Sequence, residues 1–452
     1  MAIVPFNFAM NEDREGAIKT LTGILRMETG EIEEKLAGTR EYILEPVTIK
    51  RDITEAEIAA LSEKKTEISG VVVLQEPKRS YEHGNLACHI LGYTGEVTEN
   101  QLRTKKFERK KAGDIVGQTG IENYYDGILR GEDGVSYILT DAMGRQKEII
   151  GNVAPVKGKN IVLTIDNRLQ KFASNLMEKN NYKGVVIASE PSTGEILCMV
   201  SKPDFDMNIF SGRINIKEWK NLLRDKANPL NNRAVQGLYS PGSIFKIAVG
   251  MGGLNENVID INDTFLCEGI YWIKTWPYKC WKRDGHGFVN FYKAIAASCD
   301  IYFYKLGLKM TVEMLNKYAK LFGLGELTGI DLPGEKSGLV PSREWKRRAA
   351  RSPWFPGNTV MMSIGQGYII STPVQVMNIM SAIANNGVVM VPHLLRAVTD
   401  DSRKIEKKYE NKKLFELTGI RPEVMDTMKK ALRRVVSYSY GTGKRAAVRD
   451  IQ

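Results

Sequence analysis

Apolar and polar positions change their period several times along the chain, and each change marks an element. Between residues 11 and 37 the apolar positions Ile18, Leu21, Ile24 and Leu25 fall on one face at helical spacing. From 41 to 150 the pattern shortens. "EYILEPVTIKRDI", "GVVVLQEP" and "SYILTDAMGRQ" read as short strands punctuated by glycine and asparagine. "APVKGKNIVLTID" reads as a connector running into a strand, and "NRLQKFASNLMEKN" turns helical at Asn167. Residues 184–201, "GVVIASEPSTGEILCMVS", hold two apolar runs around Pro-Ser-Thr-Gly, which predicts a β-hairpin. From 243 to about 390 the pattern is mainly helical, broken by glycine-rich loops such as "GHG" and "SIGQG". Strands followed by a helical block predict an α+β fold rather than a doubly wound sheet.

A chain of 452 residues exceeds one ordinary core, so two or three domains are expected. Hydrophobic content of 43% and charged content of 26% are those of a globular protein. The N-terminal "MAIVPFNFAM" is too short and too broken for a membrane span, and it has neither the basic head nor the cleavage site of a signal peptide. A net charge of +11 favours anionic surroundings. Its basic clusters, "KKFERKK" at 105–111 and "REWKRRAAR" at 343–351, lie far apart without stacking aromatics. They read as solvated faces, and no nucleic-acid partner is expected.

"NRAVQGLYSPGSIFKIAVGMGGL", residues 232–254, carries the candidate chemistry. A serine hydroxyl is a poor nucleophile until a base stands within hydrogen-bonding reach. At i, i+3 spacing on a helix, Ser243 and Lys246 share a face, and a buried lysine in its neutral form accepts a serine proton. Spacing alone leaves a second reading open, a helix-capping serine beside an exposed lysine. Ser62-Glu63-Lys64-Lys65 has the same spacing within a charged helix.

Cys88 and Cys198 sit in apolar runs and read as small core residues. Cys267, Cys280, His286 and Cys299 gather within 33 positions, with Asp263 nearby as an oxygen ligand. Three readings stay open: a structural zinc site using Asp263, Cys267, Cys280 and His286, a Cys267–Cys280 disulfide, or unrelated small side chains.

The context of Ser243 resembles a known family. "TGEILCMVSKPDFDMN" followed by "NRAVQGLYSPGSIFK" is similar to the active-site approach of the penicillin-binding acyl-serine transferases, with Ser298-Cys299-Asp300 in "AIAASCDIYFYKLG" at the second motif. There the commoner form is S-x-N; the aspartate variant belongs to elongation-type transpeptidases and leaves residue 300 open as acceptor or donor. "CWKRDGHG", "TGIDLPGEKSGLVP", "PWFPGNTVMMSIGQGY" and "TPVQ" extend the resemblance, as do "RSYEHGNLACHILGYTGEV" and "GDIVGQTGIENYYDGILRG" in the N-terminal half. Together they resemble the elongation-type class B penicillin-binding proteins over nearly the whole chain.

The resemblance implies a penicillin-binding transpeptidase fold, an antiparallel sheet flanked by helices, with an α+β pedestal. Residues 1–150 are expected to form the pedestal, 151–180 a connector and 181–452 the transpeptidase domain. Ser243 is implied as nucleophile, Lys246 as base, Ser298 as proton relay and Asp300 as a positioning group, with no cofactor required and no histidine base. Implied partners are peptidoglycan stem peptides and β-lactams, and, through the pedestal, a SEDS-type glycan polymerase and elongation scaffold proteins. The implied location is the inner membrane, facing the periplasm. A membrane anchor and first pedestal strand are expected before residue 1, and a K-[ST]-G strand after 452, so the chain reads as a fragment of impaired activity. Lys336-Ser337-Gly338 spells the third motif too early in chain order and is set aside. The alternatives are an inactive wall-binding or regulatory remnant of the fold, and a β-lactam-hydrolysing or β-lactam-sensing relative.

Overall fold

The computed structural model describes residues 1–37, 44–65, 67–108, 110–140, 146–212 and 216–448. Parts of the expected strands, at 41–43 and 141–145, and the final residues 449–452 lie outside the described residues. The chain divides into two compact units. The first comprises Met1–Asn160, Phe205–Asn228 and Thr399–Lys404; the second comprises Ile161–Asp204, Pro229–Val398 and Ile405–Gln452. Both mix helix with sheet, as the α+β patterning predicts.

In the first unit a small antiparallel sheet in the order β2-β1-β3 joins β1 (Ala2–Ile3), β2 (Val47–Thr48) and β3 (Val71–Val72). Two helices, α1 (Arg14–Leu25) and α2 (Thr29–Ala37), pack beside it, and Ile3, Phe8, Ile18, Leu21, Leu25, Ile32 and Leu36 form the core. The helical pattern over 11–37 is thus divided. Arg26 takes φ 51° and closes α1, with its N–H donating to the Thr22 carbonyl. α3 (Glu55–Glu63) starts at Thr54, whose hydroxyl accepts the Glu57 N–H in a capping box. A hairpin, β4 (Val135–Thr140) with β5 (Gln146–Val153), follows.

The second unit opens with α4 (Asn167–Lys179), where the Asp166 carboxylate caps the Arg168 and Leu169 N–H groups at 2.8 and 3.2 Å. Its buried residues, Gln170, Ala173, Ser174 and Met177, recur at helical spacing and face the hairpin of β6 (Gly184–Ser189) and β7 (Ile196–Lys202). Gln170 exchanges two hydrogen bonds with the Met199 backbone, both at 2.8 Å. At the centre lies α5 (Phe245–Asn255), buried from Phe245 to Leu254 and apolar there except for Lys246, as a helix enclosed on every side must largely be.

The stretch after α5 departs from the helical expectation. Residues 265–289 form nested antiparallel pairs: β8 (Phe265–Cys267) with β11 (Gly287–Val289), and between them β9 (Ile270–Ile273) with β10 (Trp276–Lys279). Helices then resume with α6 (Phe291–Ala296), α7 (Asp300–Leu321), α8 (Pro356–Ser363), α9 (Pro373–Ala384) and α10 (Pro422–Ser437). Among the described residues no helix is long and apolar enough to cross a membrane.

Candidate active site

Ser243 rides on one 3-10 turn, Gly242–Ile244, that runs into α5. Gly242 takes φ +60°, which glycine adopts at no steric cost. The loop after α8 backs this turn. Gly242 N–H donates to the Gly365 carbonyl at 2.9 Å, and a Cβ added to Gly365 would meet the Gly242 carbonyl oxygen at 2.3 Å. Backbone closes that side, and the Ser243 side chain stands exposed on the other.

Lys246 is the opposite, with 2% of its surface exposed. A buried ammonium is costly unless acceptors surround it. They arrive from the turn between α6 and α7. Lys246 Nζ donates to the Ser298 carbonyl and to Ser298 Oγ, each at 3.0 Å, and to Asp300 Oδ1 at 2.6 Å. Ser298 Oγ lies 2.9 Å from Ser243 Oγ. The four residues singled out in the sequence therefore meet, and the route from Ser243 to Lys246 passes through Ser298.

Asp300 accepts on both oxygens, because its Oδ2 receives the Trp281 backbone N–H at 3.0 Å. Of the two roles an aspartate offers here, this geometry is that of the acceptor. Its place as the first residue of α7 suits a carboxylate, since free N–H groups gather at a helix N-terminus. Ser298 sits at φ +50°, an uncommon backbone conformation for a residue with a Cβ.

The look-alike motifs go elsewhere. Ser62, at the end of α3, donates to its own helix through the Ile58 carbonyl at 2.8 Å, and Lys65 is exposed. The Ser337 carbonyl and the Glu326 carbonyl both accept from the Gln375 side chain, at 2.7 and 2.6 Å. Within the basic run 343–351, Lys346 is not solvated. It is 3% exposed and donates to the Pro353 carbonyl at 2.8 Å and to Asn358 Oδ1 at 2.6 Å, bracing the segment that starts α8.

Cys267, Cys280, His286 and Cys299 lie buried together, their ligand atoms all within 4.8 Å of one another. Both Cys267 Sγ and Cys280 Sγ stand 3.5 Å from His286 Nδ1. The hydrogen bond between the Cys280 and Cys299 sulfurs draws the Cys280 thiol below the usual thiol range and, with burial, pushes Cys299 up. Burial also lowers the pKa of His286 below the usual imidazole value. Three sulfurs and one imidazole nitrogen at this spacing fit tetrahedral zinc, whose thiolate sulfurs stand about 3.8 Å apart. All five cysteines, Cys88 and Cys198 included, are buried free thiols. Asp263 is a correction. It is exposed in a turn, its carboxylate accepting the Asp260 N–H at 2.9 Å, and Cys299 takes the fourth place in the group.

Comparison with known proteins follows the same division. The family model described as "Penicillin binding protein transpeptidase domain" matches residues 184–452, and "Penicillin-binding Protein dimerisation domain" matches residues 2–163. A curated relative, the peptidoglycan D,D-transpeptidase MrdA of Acinetobacter baumannii, is 38% identical over 355 residues, 78% of this chain. The chain spans 52% of that relative's length. Among solved structures, the complex between penicillin-binding protein PBP2 and MreC from Helicobacter pylori matches with TM-score 0.81 and 30% identity, over 95% of this chain and 79% of that one. A structure titled for the coordination of polymerization and crosslinking by a peptidoglycan synthase complex matches with TM-score 0.66 and 29% identity, over 90% of this chain and 70% of that one.

Proposed function

The chain belongs to the penicillin-binding protein transpeptidase family, and from that premise we propose that it is a peptidoglycan D,D-transpeptidase of wall elongation. The observation that carries this reading is the hydrogen-bonded line Ser243–Ser298–Lys246–Asp300. Ser243 Oγ attacks the penultimate D-alanine carbonyl of a stem peptide. With Lys246 in its neutral amine form, the Ser243 proton passes to Ser298 Oγ as Ser298 gives its own to Lys246 Nζ. The Asp300 carboxylate favours this transfer because it stabilises the ammonium that forms. The same route returns a proton to the leaving nitrogen, so that terminal D-alanine departs and the acyl group stays on Ser243. An amine from a neighbouring stem peptide then takes the acyl group and frees the serine. β-Lactams acylate the same oxygen.

Residues 1–150 act in this reading as a pedestal for a glycan polymerase and a scaffold protein, 151–180 as a connector and 181–452 as the transpeptidase domain. Support comes from the matches to a PBP2–MreC complex and a peptidoglycan synthase complex. The chain works facing the periplasm. The family's chemistry needs no cofactor. Cys267, Cys280, His286 and Cys299 would hold a structural zinc ion, which when bound would fix the strand pair β8/β11 to the turn carrying Ser298 and Asp300.

The test is labelled penicillin followed by peptide mass spectrometry. The label is expected on Ser243; label on another residue, or none, overturns the assignment.

A further inference from the structure

We propose that Trp281 is a positioning residue for acyl transfer, holding the relay serine in the backbone conformation that aims its hydroxyl. The inference starts from Ser298, whose φ of +50° an L-residue keeps only when its surroundings fix it. Two donors meet at its carbonyl oxygen, Lys246 Nζ at 3.0 Å and Trp281 Nε1 at 3.1 Å. The same indole N–H lies 3.0 Å from the Ala297 carbonyl, so it spans the carbonyls of the two peptide groups that flank the Ser298 Cα. The Trp281 backbone N–H holds Asp300 Oδ2, which ties one residue to both ends of the Ser298–Asp300 motif.

Burial does not account for a tryptophan here. The residue is 57% exposed, and its ring meets His286 edge-on at 5.3 Å. What the side chain contributes is a donor at the end of a rigid bicycle. Without that donor, Lys246 alone holds the Ser298 carbonyl. Backbone bonds from the Ser298 N–H to the Ile295 carbonyl at 3.1 Å and from the Cys299 N–H to the Ala294 carbonyl at 3.0 Å still hold the turn at its amides, but its carbonyls tilt and Ser298 Oγ shifts off the line between Ser243 and Lys246.

Side-chain replacement separates these contributions, because the backbone bond to Asp300 survives it. The decisive variant carries β-(3-benzothienyl)alanine at position 281, the same bicycle with sulfur in place of N–H; Trp281→Phe is its companion. Penicillin acylation is resolved into the dissociation constant of the first complex and the acylation rate constant, with melting temperature and zinc content measured alongside. We expect the rate constant to fall roughly ten- to a hundredfold, the cost of misplacing a reacting group by a fraction of an ångström, with dissociation constant, melting and zinc unchanged. An unaltered rate constant overturns the proposal. So does a weakened first complex with a normal rate constant, which would make Trp281 a ligand contact. If Trp281→Phe fails to fold, the isosteric variant decides. The inference rests on the acyl-serine reading, yet the two fail differently: that reading falls if the unsubstituted protein is not labelled at Ser243.

Discussion

Ser62 and Ser243 each stand three residues before a lysine, on or at the start of a helix. In α3 the serine hydroxyl donates a hydrogen bond to the Ile58 carbonyl of its own helix, and its lysine is exposed. At the start of α5 the lysine is buried, and its acceptors come from a turn 52 to 54 residues further along the chain. Spacing makes the two side chains neighbours in both places. Only the second place buries the lysine and supplies a hydroxyl and a carboxylate to exchange and stabilise a proton. The comparison locates the chemistry in what a second segment adds to an S-x-x-K pair.

The strongest way to break the comparison is to remove each serine. Ser243→Ala should abolish covalent penicillin labelling, while Ser62→Ala should label at the normal rate by the same mass spectrometric assay. Labelling that survives in the first, or is lost in the second, reverses the roles given to the two sites. Lys246→Ala should slow acylation by on the order of 10²–10⁴, the usual worth of a positioned base, and Lys65→Ala should leave it unchanged. Stopped-flow acylation rates on both variants decide this.

The remaining tests sharpen the picture of the second segment. Cys299→Ala should abolish the proposed zinc binding and lower the melting temperature, since a site with two thiolates and an imidazole left loses a ligand it cannot replace. Asp263→Ala should keep both. Metal analysis and a thermal melt on each protein suffice; zinc retained without Cys299, or lost without Asp263, would restore the aspartate as a ligand.

Much of this was legible in the sequence, for reasons that can be stated. The 184–201 hairpin announces itself by two apolar runs around a turn, and α4 by the aspartate before its first turn. α5 is legible because proline and glycine precede an apolar run interrupted only by Lys246. The strands at 265–289 were hidden because each is three or four residues long, too short to show a period, and their partners lie across a gap or a tight turn. The break in the 11–37 helix falls at Arg26, a residue that carries no signal for φ > 0. Ser243, Lys246, Ser298 and Asp300 stood out through motif spacing, but the order of contact, serine to serine to lysine, needed the fold. Asp263 was misplaced because proximity in sequence to Cys267 was read as proximity in space. Trp281 left only a faint trace, a tryptophan directly after a cysteine, and its role lies in hydrogen bonds to backbone that no side-chain pattern reports.

The contact between Gly242 and Gly365 bears on how the protein can change over generations. Backbone meets backbone there, and a methyl group on Gly365 would overlap the Gly242 carbonyl oxygen. Mutation has almost no neutral steps to explore at Gly365, whatever selection favours. Variation that alters the reach or reactivity of Ser243 must therefore accumulate at side chains around the opposite, open side. A survey of tolerated substitutions should find Gly365 immutable, and Gly242, whose Cβ would meet open space at φ +60°, more tolerant.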